Sequence, residues 1–189
     1  VGVIEMNFAN KVSTFRILSV PFFIACLLYY SPDRDYLRLV ALIIFMLAVF
    51  SDAVDGYIAR KNKQHSAAGL ILDPLGDKVL LVSAFIFLYL TDTGIRFPLW
   101  VSLIVVSRDA IILLGIIAIF MVRQKLDMHP TTWGKLTTFF QMASVISVLT
   151  KWQYSFLLWT IAIIFTLISG IDYIRKGFSI LYAPGGNNH

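Results

Sequence analysis

SDAVDGYIARKNKQHSAAGLILDPLGDK, Ser51 to Lys78, sets four aspartates into a chain that is otherwise strongly apolar. Asp52 and Asp55 stand three residues apart, and Asp73 and Asp77 four apart. Either spacing puts a pair on one face of a helix. The apolar pattern breaks at Asn62 to Ser66, between the pairs. The stretch therefore reads as two helices joined by a short turn, with two acidic faces able to meet near it.

The setting of that hairpin follows from composition. Of the 189 residues, 58% are hydrophobic, against about 45–50% in a soluble domain, and the mean hydropathy is +0.79. Crossing a hydrocarbon layer about 30 Å thick takes about 20 helical residues. The pattern predicts an all-α integral membrane protein with six transmembrane helices, over 12–30, 36–60, 67–91, 97–123, 133–150 and 153–175. Residues 1–189 read as one domain without repeats, and its polar, glycine-rich tail, about 183–189, is expected to be disordered. Ile4 to Ala9 is expected to form a short interfacial segment. The start VGVIEMNFANKVSTFR lacks a basic n-region, a short apolar core and a small-residue cleavage site, so the first apolar run is expected to be retained. Cys26 stands alone, which excludes an internal disulfide.

Basic residues set the expected orientation. With the N-terminus in the cytoplasm, Lys11, Arg16, Arg60, Lys61, Lys63, Arg123, Lys125, Lys135, Arg175 and Lys176 fall at or near cytoplasmic helix ends. The other side receives Arg34, Arg38, Arg96 and Lys151. This asymmetry obeys the positive-inside rule. By that rule both termini and the acidic hairpin are expected at the cytoplasmic face of the membrane. The net charge of +5 suits anionic lipid headgroups there. The same residues are scattered over helix ends rather than gathered in a stripe, which argues against nucleic acid as a partner.

A carboxylate at bilayer depth costs about 2.5–3.5 kcal/mol even on lenient scales. Four converging carboxylates also repel, and at least one stays protonated unless cations intervene. Arg60, Lys61, Lys63 and Lys78 are near in sequence, but lysines close to helix ends tend to snorkel outward. Divalent metal resolves the conflict better, because Mg²⁺ prefers carboxylate oxygens and shares them with substrate phosphates. Four aspartates suit two such ions, about 3.5–4 Å apart, around a phosphoryl displacement. Gly56, Ala59 and Gly69 form small faces beside the acids, open either to a ligand or to a packed helix. Pro74 interrupts the helix between Asp73 and Asp77, either re-aiming them or simply kinking the span.

Asp52-x-x-Asp55-Gly56-x-x-Ala59-Arg60 followed by Gly69-x-x-x-Asp73-x-x-x-Asp77 resembles, at every defining position, the signature of the CDP-alcohol phosphotransferase family. Asn10-x-x-Ser13-x-x-Arg16, Asp73-Pro74-Leu75-x-Asp77-Lys78, Ser107-Arg108-Asp109 and Gly134-Lys135-x-x-Thr138-x-x-Gln141 resemble its branch of phosphatidylglycerophosphate and cardiolipin synthases. The resemblance implies a six-helix homodimer that transfers a phosphatidyl group from CDP-diacylglycerol to an alcohol and releases CMP. It implies two divalent cations, Mg²⁺ or Mn²⁺, held by Asp52, Asp55, Asp73 and Asp77, with Asp77 also the general base. It further implies that Arg60 contacts the diphosphate, and that Gly56, Ala59 and Gly69 make room for CDP-diacylglycerol.

The acceptor is expected to meet Arg108 and Lys135, since a rigid guanidinium fork and a mobile ammonium together suit a phosphate. An alternative role for Arg108 is compensation by Asp109 or another aspartate. Adjacent helical residues diverge by about 100°, so that pairing is not automatic. Two cations favour glycerol 3-phosphate as acceptor. However, the branch often shows Arg-Glu and Gly-Lys-x-Lys-Thr, where this chain has Arg108-Asp109 and Gly134-Lys135-Leu136-Thr137-Thr138. The loss of one lysine resembles the cardiolipin synthases, which use phosphatidylglycerol; inositol phosphate and serine are further alternatives. His65 and His129 read as solvated loop residues. A cation transporter would explain intramembrane acids, but not the glycines, Arg60, or the gathering of all four acids at one face.

Overall fold

An apolar chain in lipid satisfies its backbone polar groups within each segment by forming helices. The computed structural model of the protein describes residues 8–62, 69–123 and 132–182, with side chains over 16–51, 78–115 and 132–177. Among these residues all regular structure is helical: α1 (Phe8–Leu28), α2 (Tyr36–Asn62), α3 (Gly69–Leu90), α4 (Leu99–Arg123), α5 (Thr132–Leu149) and α6 (Ser155–Tyr182), with a 3₁₀ turn at Pro32–Arg34. The helices fall on the six expected runs. Two ends differ. Phe8 and Ala9, expected in an interfacial segment, already belong to α1, and α6 runs past the expected residue 175 to Tyr182. Ile4 to Asn7 and the tail 183–189 lie outside the described residues. Over Ser155–Gly177, α6 is long and apolar enough to cross a membrane.

Buried apolar residues recur at helical spacing, as in Ala41, Phe45 and Ala48 on α2 and Leu81, Ala84, Phe85 and Leu88 on α3. With Phe23 and Leu27 of α1, Val101 of α4 and Val145 and Val148 of α5 they form one core. The Phe85 and Phe97 rings stack at 4.6 Å, and Phe97 meets Trp159 edge-on at 5.7 Å. Helix α1 packs on α2 and α3, α4 lies against α3 and α6, and α5 lies mainly against α6. The polarity is the reverse of a soluble domain. Phe22, Ile43, Phe50, Leu114 and Phe139 are exposed, while Arg16, Arg108, Asp109 and Gln141 are buried.

One end of the bundle is closed by a single carboxylate. Asp35 accepts from Arg38 Nε at 3.0 Å and Nη2 at 2.7 Å, from Lys151 Nζ at 2.8 Å and from the Tyr30 hydroxyl at 3.3 Å. Arg38 Nη1 donates to the Leu149 carbonyl, so the α1–α2 connection is bound to the α5–α6 turn. That turn ends α5 with Lys151 N donating to Val148 O and Trp152 N to Ser147 O, and with Lys151 at φ 55°. Glycine is the usual residue there. Lysine accepts the left-handed backbone, and the same conformation delivers its ammonium to Asp35.

Donation from Arg38, and then from Lys151, holds the Asp35 carboxyl well below the ordinary carboxylate range. A depressed folded pKa contributes stability that is complete above the unfolded value, about 4, and is lost as pH falls through the folded one. Asp35→Asn is therefore expected to lower the thermal unfolding temperature by several degrees at pH 7. The gap between wild type and variant should hold down to about pH 5 and narrow below about pH 4. Thermal unfolding of the full chain in detergent across pH measures this, and coincident curves at pH 7 would show that the clasp contributes nothing.

Candidate active site at the α2–α3 end of the bundle

Residues 63–68 alone join α2 to α3, so the two halves of the acidic motif share one end of the bundle. At about 1.5 Å per residue, Asp55 and Asp52 lie roughly 10 and 15 Å before the end of α2, and Asp73 and Asp77 roughly 6 and 12 Å beyond the start of α3. Along the helices, all four positions therefore lie within about 15 Å of that connection. The side chains of Asp52, Asp55, Gly56, Ala59, Arg60, Gly69, Asp73 and Asp77 lie outside the described residues, as do His65 and His129. Among the described residues no group of His, Cys, Asp and Glu is placed to hold a metal ion. The carboxylates of the α2 and α3 aspartates are of the donor type that suits hard divalent cations.

Lys78, the residue after Asp77, begins the described part of the site. Its Nζ donates to Asp109 Oδ1 at 2.6 Å, linking α3 to α4. The same oxygen accepts from Arg108 Nη1 at 2.7 Å, and Arg108 Nη2 donates to Ser169 Oγ on α6. Arg108 and Asp109 are only 9% and 5% exposed. Here one expectation from sequence changes and one stated alternative holds. Lys78 does not snorkel outward but turns into the bundle, because a buried carboxylate waits there. Arg108 does pair with its neighbour Asp109, since its long stem spans the divergence between adjacent positions. Arg108 also lines a cavity of about 420 Å³ between α4 and α6, whose other walls include Leu103, Ile111, Leu167 and Ile174.

Lys135 is exposed near the start of α5, whereas Arg108 is buried on α4. The rest of that motif joins α5 to α6. Thr137 Oγ1 donates to the carbonyls of Trp133 and Phe165, each at 2.9 Å. Thr138 Oγ1 donates back to Gly134 O at 3.1 Å. Gln141, fully buried, donates through Nε2 to Thr166 Oγ1 at 3.1 Å.

A model of the CDP-alcohol phosphatidyltransferase family matches residues 6–168, which takes in both acidic pairs, Lys78, Arg108 and Gln141. The chain belongs to the CDP-alcohol phosphatidyltransferase family. A protein of Aquifex aeolicus named CDP-diacylglycerol–glycerol-3-phosphate 3-phosphatidyltransferase is 31% identical over 185 residues, covering 94% of this chain and 99% of its own. One of the same name from Haemophilus influenzae is 31% identical, covering 90% of this chain and 93% of its own. A probable phosphatidylglycerophosphate synthase of Mycobacterium tuberculosis is 29% identical, covering 90% and 81%.

Within this phosphatidyltransferase, sequence reasoning missed Ser169 and the part played by Lys78. The available signal for Lys78 was a lysine about two turns inside an apolar helix, a charge that needs a partner from another helix. Ser169 carried none, because serine in an apolar helix often bonds its own backbone. Gln141 acts as a packing residue against Thr166. Thr166→Val should cost about 1–3 kcal/mol by leaving the buried amide without its partner. Adding Gln141→Leu should recover most of that loss in detergent unfolding measurements. If the double variant is no more stable than Thr166→Val, the buried pair is not the cause.

Proposed function

We propose that this chain transfers the phosphatidyl group of CDP-diacylglycerol to glycerol 3-phosphate, giving phosphatidylglycerophosphate and CMP. One observation carries the reading. Lys78, which ends the acidic stretch, is tied through Asp109 to a buried arginine on α4, a guanidinium suited to an anionic acceptor. The names of the Aquifex and Haemophilus relatives support the same acceptor.

In this reading Asp52, Asp55, Asp73 and Asp77 hold two divalent cations, Mg²⁺ or Mn²⁺, which supply charge neutralisation at the diphosphate. Arg60 binds the diphosphate beside them, while Gly56, Ala59 and Gly69 leave space for the nucleotide. Asp77 accepts the proton of the acceptor hydroxyl. The hydroxyl oxygen then forms a bond to the lipid-bearing phosphorus, the bridging P–O bond breaks, and CMP departs with the electron pair. Arg108 and Lys135 bind the acceptor's phosphate. Six membrane-spanning helices, both termini in the cytoplasm of a bacterial-type inner membrane, and a homodimer complete the reading. Exposed apolar side chains on all six helices, such as Phe22, Phe50, Leu90, Leu114, Phe139 and Phe156, support the spans.

A second reading takes phosphatidylglycerol as acceptor. The observation favouring it is Asp109, which offsets part of the cationic charge of Arg108 and would suit a singly charged diester.

Purified protein with CDP-diacylglycerol and Mn²⁺ is expected to release CMP when glycerol 3-phosphate is added and not with phosphatidylglycerol. The reverse result would establish the second reading. Asp77→Asn should lower kcat by at least about 100-fold with the unfolding temperature retained. Chelation should stop CMP release, and Mg²⁺ or Mn²⁺ should restore it. Release that persists after exhaustive chelation would exclude the metal-dependent mechanism.

A further inference from the structure

Asp109 has no part in the reaction as proposed, yet it is among the most buried charged residues described, at 5% exposed. Its Oδ1 is shared by cations from two helices, Lys78 Nζ at 2.6 Å and Arg108 Nη1 at 2.7 Å. Ser169 holds the other terminal nitrogen of Arg108 from α6. The guanidinium is therefore pinned at both Nη atoms, by groups on α4 and α6, before any ligand arrives. Five N–H donors belong to an arginine, and these two contacts use two of them. Among the described residues Nε is buried without a hydrogen-bond partner, and each Nη keeps one further N–H. Lys78, its side chain 30% exposed, likewise keeps ammonium hydrogens beyond the one given to Asp109.

We propose that Asp109 is a positioning residue that sets the affinity of this enzyme for its phosphate-bearing acceptor. One carboxylate oxygen fixes the spacing of two cations that would otherwise repel and disperse. It also lowers the ordering cost of two long side chains before the phosphate binds. Lys78 follows Asp77 directly in sequence, so the same contact ties Arg108 to the segment of α3 that carries the proposed base. The inference rests on the reading of Arg108 as the acceptor-phosphate ligand, and the experiment separates the two.

Steady-state kinetics of the purified full chain, with CDP-diacylglycerol and Mn²⁺, are measured for Asp109→Asn, Asp109→Glu, Ser169→Ala and Arg108→Gln. Asp109→Asn should raise KM for glycerol 3-phosphate about tenfold, as expected for loss of a hydrogen bond between charged groups. KM for CDP-diacylglycerol should stay within about twofold, because uniform loss of structure would move both. Asp109→Glu should recover most of the effect, and Ser169→Ala should raise the same KM without removing a charge. In an Arg108→Gln background, Asp109→Asn should add little. Asp109→Asn with unchanged KM for glycerol 3-phosphate, or with both KM values raised together, overturns the inference. Should Asp109→Asn fail to fold, an unchanged KM in Ser169→Ala overturns it equally. If Arg108→Gln itself leaves that KM unchanged, the ligand role of Arg108 fails and the inference falls with it. A raised KM in Arg108→Gln but not in Asp109→Asn rejects Asp109 alone.

Discussion

One oxygen of Asp109, shared between Lys78 and Arg108, resolves the main conflict in this molecule. The helices turn apolar side chains outward, so charge has to be held inside, where an unpaired ion is costly. Coupling Lys78 of α3 to Arg108 of α4, and through it to Ser169 of α6, converts three separate liabilities into one fixed cluster. Packing among Phe85, Phe97 and Trp159 holds α3, α4 and α6 together, but apolar contact alone does not set a register. The ion cluster does, since its bonds hold only at hydrogen-bonding distance.

The same device closes the opposite end. Asp35 gathers Arg38 and Lys151, two of the four cations that sequence reasoning had left on the side with fewer basic residues. Their presence there is thus explained by pairing. Between the two carboxylate hubs the interior uses neutral polar contacts. Ser102 donates to Phe85 O across α3 and α4 at 2.8 Å, and Thr137 and Gln141 join α5 to α6. Short hydroxyl and amide contacts of this kind suit helices whose outward faces are as apolar as lipid.

Membership of the CDP-alcohol phosphatidyltransferase family and the geometry of the Arg108 cluster bear on different halves of one reaction. The acidic motif concerns the activated lipid and is carried by residue type and spacing. In the proposed reaction, the acceptor side rests on how Arg108 is held. An arginine supported by Asp109 and Ser169 presents its remaining donors in a fixed plane, which suits recognition of a tetrahedral anion. Arg108 stands on α4 and Lys135 on α5, and both helices pack against α6.

Much of this was legible in the amino-acid order itself. The six helical runs, the hairpin joining 52–55 to 73–77 and the pairing of acids on single faces follow from hydropathy and helical period, which are local properties. Glycine, proline and charged breaks located the helix ends to within a few residues, except where the first and last helices ran on past them. What required the tertiary structure was the fate of individual charges. Lys78 could have snorkelled, Arg108 could have stood free for ligand, and Asp109 could have faced either, because each outcome depends on which helix lies opposite. Ser169 and the left-handed Lys151 acquired meaning only once the carboxyl or guanidinium they serve had been placed. Periodicity along one helix determines which face is apolar, but the partner of a buried charge is chosen by neighbours far away in sequence.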